Sequence, residues 1–403
     1  MEEISNQKIE EDLTRWVDKI YPSKEDFKKA LKLNKKLTIY FGIDPTAPHL
    51  HLGHSTNFFL LRKFQEMGHK IILLIGDFTA QIGDPTGRLK TRRALTKKEV
   101  LENCKNYKKQ IGKILDFKSK KNPAELKFNN QWLNRLMPEE IIRLAAKFTL
   151  GQMIKRNMFQ ERLKKKKEIY LHEFLYPLFQ AYDSVALDVD VEIGGSDQTF
   201  NMLRGRELMK IYREKEKFVI TTPLLINPKT GRKLMSKTES FIGLDFSPNE
   251  MFGKIMALPD EVLIDCFKLC TEVPLKEIKE IERDLKERKV NPRDLKVRLA
   301  REIVNIYHGK KKAINAQEEF ERIFKEKKLP KIIPEIEIKE KTLNILDLLV
   351  KTKLALSKSA AKRLILQKGV KIDRKIESDW KRVIEIKKGL VIQVGKRKFV
   401  RLT

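Results

Sequence analysis

Three histidines fall close together in the segment Pro48-His49-Leu50-His51-Leu52-Gly53-His54. They sit where an apolar run, Leu37 to Gly42, passes through an Asp44-Pro45-Thr46 turn and enters an amphipathic helical pattern over Ser55 to Met67. A strand-to-helix junction exposes backbone N–H groups and the positive end of the helix dipole, so it favours anions such as nucleotide phosphates. Gly53 lets a nucleotide approach the backbone closely. His51 and His54 can then donate hydrogen bonds to phosphate oxygens as charge develops in a transition state. A zinc site would need a further ligand and a helical or CxxC-type spacing, and nothing nearby supplies one. Ordinary surface-loop histidines are the plain alternative.

Other residue groups could complete such a chemistry. Gly231-Arg232-Lys233-Leu234-Met235-Ser236-Lys237-Thr238 follows the turn-rich Asn227-Pro228-Lys229-Thr230. A glycine- and lysine-bearing loop suits a flap that closes on phosphates, with Lys237 as a point charge; alone, it reads equally as a solvated basic loop. Gly87-Arg88-Leu89-Lys90-Thr91-Arg92-Arg93 is a second basic loop. Tyr176, Gln180 and Asp183 stand at i, i+4 and i+7, on one face of a helix. Tyr, Phe and Leu at helical spacing are usually core, but Gln180 and Asp183 on that apolar face would cost a few kcal/mol if unpartnered. A polar pocket is therefore expected there.

The elements that must position these groups follow from periodicity. Leu37 to Gly42, the 55–67 helix and a second apolar strand over Lys70 to Gly76 make a βαβ unit, which places the chain among α/β proteins with a doubly wound, Rossmann-like domain. Further strands are expected at Val185 to Val191 and Phe218 to Thr221, and residues 97–175 read as mostly helical. From Ser247 to Lys328 the pattern is helical again. Residues 329–340 read as an extended linker. The tail reads as a small α+β module with helices over 344–354 and 357–367 and strands near 370–372, 390–393 and 399–402. The expected division is a catalytic domain over 1–240, including a helical insert at about 97–175, a helical domain over 241–330, a linker over 331–340, and a terminal module over 341–403.

The formal net charge is +30 over 403 residues. The terminal stretch 341–403 holds 18 Lys and Arg against 5 Asp and Glu, a concentration that general lysine enrichment does not predict. It reads as an RNA-binding footprint. Three cysteines (Cys104, Cys266, Cys270) make no disulfide framework and fit a reducing interior. The polar start, Met1 to Lys8, carries no signal-peptide pattern, and no run approaches the ~20 apolar residues of a membrane span. A soluble, cytoplasmic protein is expected.

The His51-Leu52-Gly53-His54 and Leu234-Met235-Ser236-Lys237-Thr238 segments resemble the HIGH and KMSKS signatures of class I aminoacyl-tRNA synthetases. Four more segments resemble the bacterial tyrosyl-tRNA synthetase family: Tyr40 to Ala47, Ile82 to Gly87, Tyr176 to Asp183 and Gly194-Gly195-Ser196-Asp197-Gln198. The match runs through nearly the whole chain. The resemblance implies a class I synthetase catalytic domain, a helical anticodon-binding domain and an S4 RNA-binding domain. It implies that Tyr40 and Asp183 hydrogen-bond a substrate tyrosine hydroxyl, and that Tyr176, Gln180 and Asp84 surround its ammonium group. Gln198 falls on the substrate carboxylate and Asp197 on the ATP ribose, beside Gly195. Thr46, His51, His54 and Lys237 are implied as transition-state contacts, and Arg88 and Arg92 as pyrophosphate contacts. The family pattern has lysine where this chain has Leu234, so Lys233 is the alternative cation.

The tail from Ser357 to Ile372 resembles an S4 domain, with Lys358, Lys362 and Arg363 implied as RNA contacts. ATP with Mg2+ as co-substrate, tRNA(Tyr) and a homodimer follow from the same resemblance. The dimer face is implied around Phe148 to Leu163, whose apolar stripe could equally be intramolecular core. Tryptophanyl-tRNA synthetase shares fold and signatures but typically lacks the S4 tail and the Gly-Gly-Ser-Asp-Gln loop. An RNA-binding protein that kept the scaffold and lost aminoacylation is the other alternative.

Overall fold

The structure is a computed structural model and describes residues 6–33, 36–88, 91, 93–235, 241–324, 333–338, 340–395 and 398–403. The chain divides into two compact units, Met1–Ser247 with Leu258–His308, and Pro248–Ala257 with Gly309–Thr403.

The first unit is built on β1 (Lys19–Tyr21), β2 (Thr38–Ile43), β3 (Lys70–Ile75), β4 (Glu125–Phe128), β5 (Val191–Gly195) and β6 (Phe218–Thr222). Their order is β1-β6-β5-β2-β3-β4. All neighbours are parallel except β1, which runs antiparallel to β6. The continuous apolar run Ile71 to Ile75 is buried on both faces, as parallel strands covered by helices must be. From β2 the chain winds one way to β3 and β4, and the other way to β5 and β6. The crevice beyond the carboxyl ends of β2 and β5 is therefore the topological switch point, where ligands of open α/β sheets bind. Asp44 to Thr46 leave β2 there, and Gly194-Gly195 end β5 there.

Three expectations about elements are corrected. Val185 to Leu187 belong to the helix His172–Leu187, which ends on Asp188 in the left-handed region at φ 47°; the strand begins at Val191. Val185 packs with Leu178, Phe179 and Ala181 in the core on which this helix lies, so tertiary burial overrides its β-branched preference. Residues 97–175 include β4, whose four residues alternate too briefly to announce a strand and are fixed by pairing with β3. The helical periodicity of residues 10–33, broken at Pro22, predicts no strand there, yet Lys19–Tyr21 is the short antiparallel edge.

In the second unit the helices Pro248–Met256 and Lys310–Phe324 pack with Phe252 and Phe320 ring centroids 5.4 Å apart. It carries β7 (Glu335–Ile336), β8 (Thr342–Asn344), β9 (Val370–Ile372), β10 (Lys375–Glu377), β11 (Val383–Glu385), β12 (Val391–Val394) and β13 (Lys398–Leu402). Five of these form a sheet in the order β10-β9-β12-β13-β7, and β11 pairs with β8. The helices Ile345–Lys351 and Lys358–Leu366 bury Ile345, Leu348, Leu349, Ala361 and Ile365 against Val370, Ile392 and Leu402. That core makes the tail a folded module. Part of the expected linker is β7, held parallel to Arg401 and Leu402.

Candidate active site

One cavity of about 930 Å³ opens at the switch point. Its lining brings together Tyr40, Thr46, His51, Gly53, His54, Asp84, Arg88, Tyr176, Gln180, Asp183, Gly195, Asp197, Gln198 and Lys233. Arg92 and Lys237 lie outside the described residues.

One end is shaped by the start of the helix Leu52–Glu66. His51 is its N-cap, and its Nδ1 accepts from the Gly53 N–H at 3.2 Å. The His51 N–H in turn points at His54 Nδ1, also at 3.2 Å. A ring nitrogen that accepts is unprotonated, so a neutral His51 carries its proton on Nε2, while His54 Nδ1 also lies 3.3 Å from the His51 carbonyl oxygen. The two rings lie with centroids 4.0 Å apart. The pair thus serves first as a reciprocal helix cap. His49 goes elsewhere: its Nδ1 contacts Asp245 at 2.8 Å. A Cβ on Gly53 would stand 3.0 Å from the His51 ring, so glycine keeps that ring in place. Among the described residues no group of three or more His, Cys, Asp or Glu is placed to hold a metal ion.

The basic loop is pinned on both sides of its undescribed centre. Leu234 N–H donates to Leu225 O at 2.8 Å, and Leu52 N–H to Ile242 O at 3.0 Å. Lys233 reaches Asp197 at 2.6 Å and, with Arg232, lines the cavity, so cations of this loop face the site beside Leu234.

The opposite end is polar, buried and acidic. Asp183 is 3% exposed. Trp132 Nε1 donates to its Oδ1 at 2.8 Å and Asn129 Nδ2 to its Oδ2 at 3.2 Å. Burial pushes this carboxyl well above the usual range, and the two donors act against that. Tyr40 is fully buried, with its hydroxyl 3.0 Å from Ser184 Oγ. Burial, and then the charges of Glu192 and Asp183, raise its phenol.

Two hydrogen-bonded networks hold the remaining predicted residues. Gln198 Nε2 donates to Asp84 Oδ2 at 2.8 Å. Asn201 Nδ2 donates to the side-chain oxygens of Gln198 and Gln180, each at 2.9 Å. Gln180 Nε2 donates to Glu192 Oε1 at 3.2 Å. Tyr176 OH donates to Asp44 Oδ2 at 2.9 Å, and Thr79 Oγ1 to Asp44 Oδ1 at 2.7 Å. Asp44, Asp84 and Asp183 make this end suited to a cation, whereas the imidazoles, Arg88 and Lys233 suit the other end to an anion.

Several site residues escaped the sequence reading. Asp44 looked like a turn former, yet it holds Tyr176. Asn129, Trp132, Ser184, Asn201 and Lys217 come from scattered elements. Glu192 alternates with apolar neighbours in Val189-Asp190-Val191-Glu192-Ile193, which reads as an ordinary half-exposed strand; the fold buries it, where a charge must have a partner. That partner is Lys217, itself fully buried.

The implied interface stripe divides. Phe148, Met153, Met158 and Phe159 are buried within this chain, whereas Leu150 and Leu163 are exposed. In the terminal module Lys358 pairs with Asp347 at 2.6 Å, Lys362 lies 3.8 Å over the Trp380 ring, and Arg363 is exposed.

The family model described as tRNA synthetases class I (W and Y) matches residues 31–325. The tyrosine–tRNA ligase SYY-like C-terminal domain matches residues 324–402. The chain is 46% identical over 382 residues to a tyrosine–tRNA ligase of Thermotoga maritima, covering 94% of each. It is 44% identical over 393 residues to one of Moorella thermoacetica, covering 97% of this chain and 94% of the relative. Among solved structures, a C-terminally truncated mitochondrial tyrosyl-tRNA synthetase of Coccidioides posadasii aligns with TM-score 0.62 at 28% identity, over 76% of this chain and 90% of that one. The corresponding Aspergillus nidulans structure aligns with TM-score 0.65 at 25% identity, over 78% and 93%. Fold, signature segments and near-full-length similarity converge, and the chain belongs to the class I tyrosine–tRNA ligases.

Proposed function

We propose that this cavity carries out both steps of tyrosyl-tRNA synthesis. In the first, a carboxylate oxygen of L-tyrosine attacks the α-phosphorus of ATP and the bond to pyrophosphate breaks. In the second, a ribose hydroxyl at the 3′ end of tRNA(Tyr) attacks the tyrosyl carbonyl and AMP leaves. The observation that carries this reading is the polarity of the cavity: a buried acidic end with Tyr40 and Asp183, and a helix N-terminus bearing His51 and His54 at the other.

Tyr40 and Asp183 take the substrate hydroxyl, and Tyr176, Gln180 and Asp84 its ammonium group. Gln198 faces the carboxylate, Asp197 the ribose. Each is already held by protein hydrogen bonds, so orientation costs little when substrate enters. Thr46, His51, His54 and Lys237 stabilise charge on the phosphates as the transition state forms, with Arg88, Arg92 and Lys233 beside the pyrophosphate. Mg2+ brought in with ATP as co-substrate would supply neutralisation of phosphate charge.

The reading extends to the rest of the chain. Residues 1–240 serve catalysis, 241–330 form the helical tRNA-binding part, 331–340 link it, and 341–403 bind RNA through Lys358, Lys362 and Arg363. A cytoplasmic homodimer fits the exposed Met137, Ile142, Leu150 and Leu163 along one segment. No helix among the described residues is long and apolar enough to cross a membrane.

Tyrosine-dependent exchange of labelled pyrophosphate into ATP tests the first step, with phenylalanine and tryptophan alongside. Exchange with tyrosine alone is expected. Silence with all three, from folded protein that still binds tRNA, would sink the enzymatic reading.

A further inference from the structure

Behind the tyrosine end lies an ion pair that the chemistry above does not use. Lys217 Nζ contacts Glu192 Oε2, and both residues are buried. The same ammonium donates to Ser184 Oγ at 2.8 Å. Ser184 Oγ stands 3.0 Å from Tyr40 OH and 3.4 Å from Glu192 Oε2. The fold makes room for this arrangement: Tyr40 and Glu192 are register partners on β2 and β5. Gly205 faces the cluster from the neighbouring helix, and a Cβ there would stand 2.5 Å from Lys217 Nζ and 2.8 Å from Ser184 Oγ.

A serine hydroxyl has one proton to give. Here it goes to Tyr40 or to Glu192, and two facts choose Tyr40. The contact to Tyr40 is shorter by a full step of hydrogen-bond geometry, since 3.4 Å is long for O–H···O. Lys217 also donates a charged hydrogen bond to the same oxygen, which makes Ser184 a poorer acceptor and a stronger donor. Ser184 therefore donates to the Tyr40 oxygen. Glu192, the other acceptor near that phenol, is already engaged by Lys217 and Gln180, so the proton of Tyr40 is left for the cavity that its ring lines.

We propose that Lys217, Glu192 and Ser184 form a buried relay that orients the phenol proton of Tyr40 into the pocket, and so sets selection of tyrosine over phenylalanine. This inference rests on the pocket assignment proposed above. A donor from Tyr40 and an acceptor from Asp183 can both be satisfied only by a substrate ring that carries a hydroxyl. Without the relay Tyr40 can turn its proton back onto Ser184, and the pocket loses its fixed donor. Ser184, Glu192 and Lys217 are positioning residues: they act through Tyr40.

The test compares kcat/KM for tyrosine and phenylalanine in pyrophosphate exchange, using the full chain and its Ser184→Ala variant. A Lys217→Met/Glu192→Gln double variant accompanies it; removing both charges together avoids leaving one buried alone. Both variants are expected to lose tyrosine kcat/KM by about tenfold more than phenylalanine kcat/KM, the worth of one oriented hydrogen bond. A parallel fall for both substrates, or an unchanged ratio in a folded variant, overturns the relay. Wild-type protein that shows no preference for tyrosine overturns the pocket assignment itself, a distinct result. If one variant does not fold, the ratio measured in the other decides.

Discussion

Replacing Trp132 by Phe should move the acid limit of tyrosine activation. Asp183 is buried, and its carboxyl is already raised well above the usual range by that burial. Two donors hold its charged form, and the shorter is Trp132 Nε1 at 2.8 Å. Phenylalanine keeps an aromatic ring against the neighbouring core of Leu178 and Phe179 while deleting that single donor. A hydrogen bond to a charged group contributes about 1.5–3 kcal/mol. Losing that contribution should push the Asp183 carboxyl still higher. The sign is set by linkage. A carboxyl raised above its unfolded value binds protons more readily in the native state, so its contribution to stability is fully present below the unfolded value and is lost as pH rises through the folded one. Activity runs the opposite way if the accepting carboxylate is the working form. The assay is kcat/KM for tyrosine in pyrophosphate exchange as a function of pH. The acid limb of Trp132→Phe should lie at higher pH than that of wild type, with ATP affinity little affected. An acid limb at the same pH in both proteins would refute the assignment of Asp183 as the ionised acceptor.

Other consequences are equally open to measurement. Arg156 Nη2 donates to Thr86 Oγ1 at 2.6 Å, and Thr86 Oγ1 to Asp84 Oδ1 at 2.6 Å; Arg156→Met should raise KM for tyrosine by about tenfold with KM for ATP little changed, and equal effects on both would discount the connection. A Cβ at Gly76 would lie 2.1 Å from Asp44 Oδ1, so Gly76→Ala should displace the acceptor of Tyr176 and cost about 1–3 kcal/mol in tyrosine binding, read by equilibrium titration. Arg162 and Glu173 form a fully buried ion pair at 2.8 Å, and Arg162 also holds the Arg88 carbonyl at 3.1 Å. Arg162→Met alone should destabilise the fold by about 3–5 kcal/mol in urea unfolding, whereas Arg162→Met/Glu173→Leu should recover most of it; a double variant as unstable as the single one contradicts that account.

Much of the site was legible in the chain because its chemistry is carried by contiguous segments. His51, Gly53 and His54 sit within one helical turn, and Tyr176, Gln180 and Asp183 share one helix face, so local spacing alone groups them. β2, β3 and the helix between them were likewise visible, since a long apolar run and a 3.6-residue period are local signals. The short elements were not. β4 has four residues and β1 three, and each exists because a neighbouring strand offers hydrogen bonds. Val185 to Leu187 went the wrong way because β-branched residues favour strands until a packed helix core claims them.

The family, the βαβ start and many of the polar residues that face the cavity rest on residue type and near-neighbour spacing, and so are present in the chain before it folds. Which residues hold them is a matter of the folded arrangement. That Asp44 anchors Tyr176, that Trp132 and Asn129 clamp Asp183, and that Lys217 meets Glu192 behind Tyr40 depends on strand order and register. Those contacts join positions 25 to 132 residues apart. Folding brings them together because a buried charge or hydroxyl without a partner costs more than the chain can sustain.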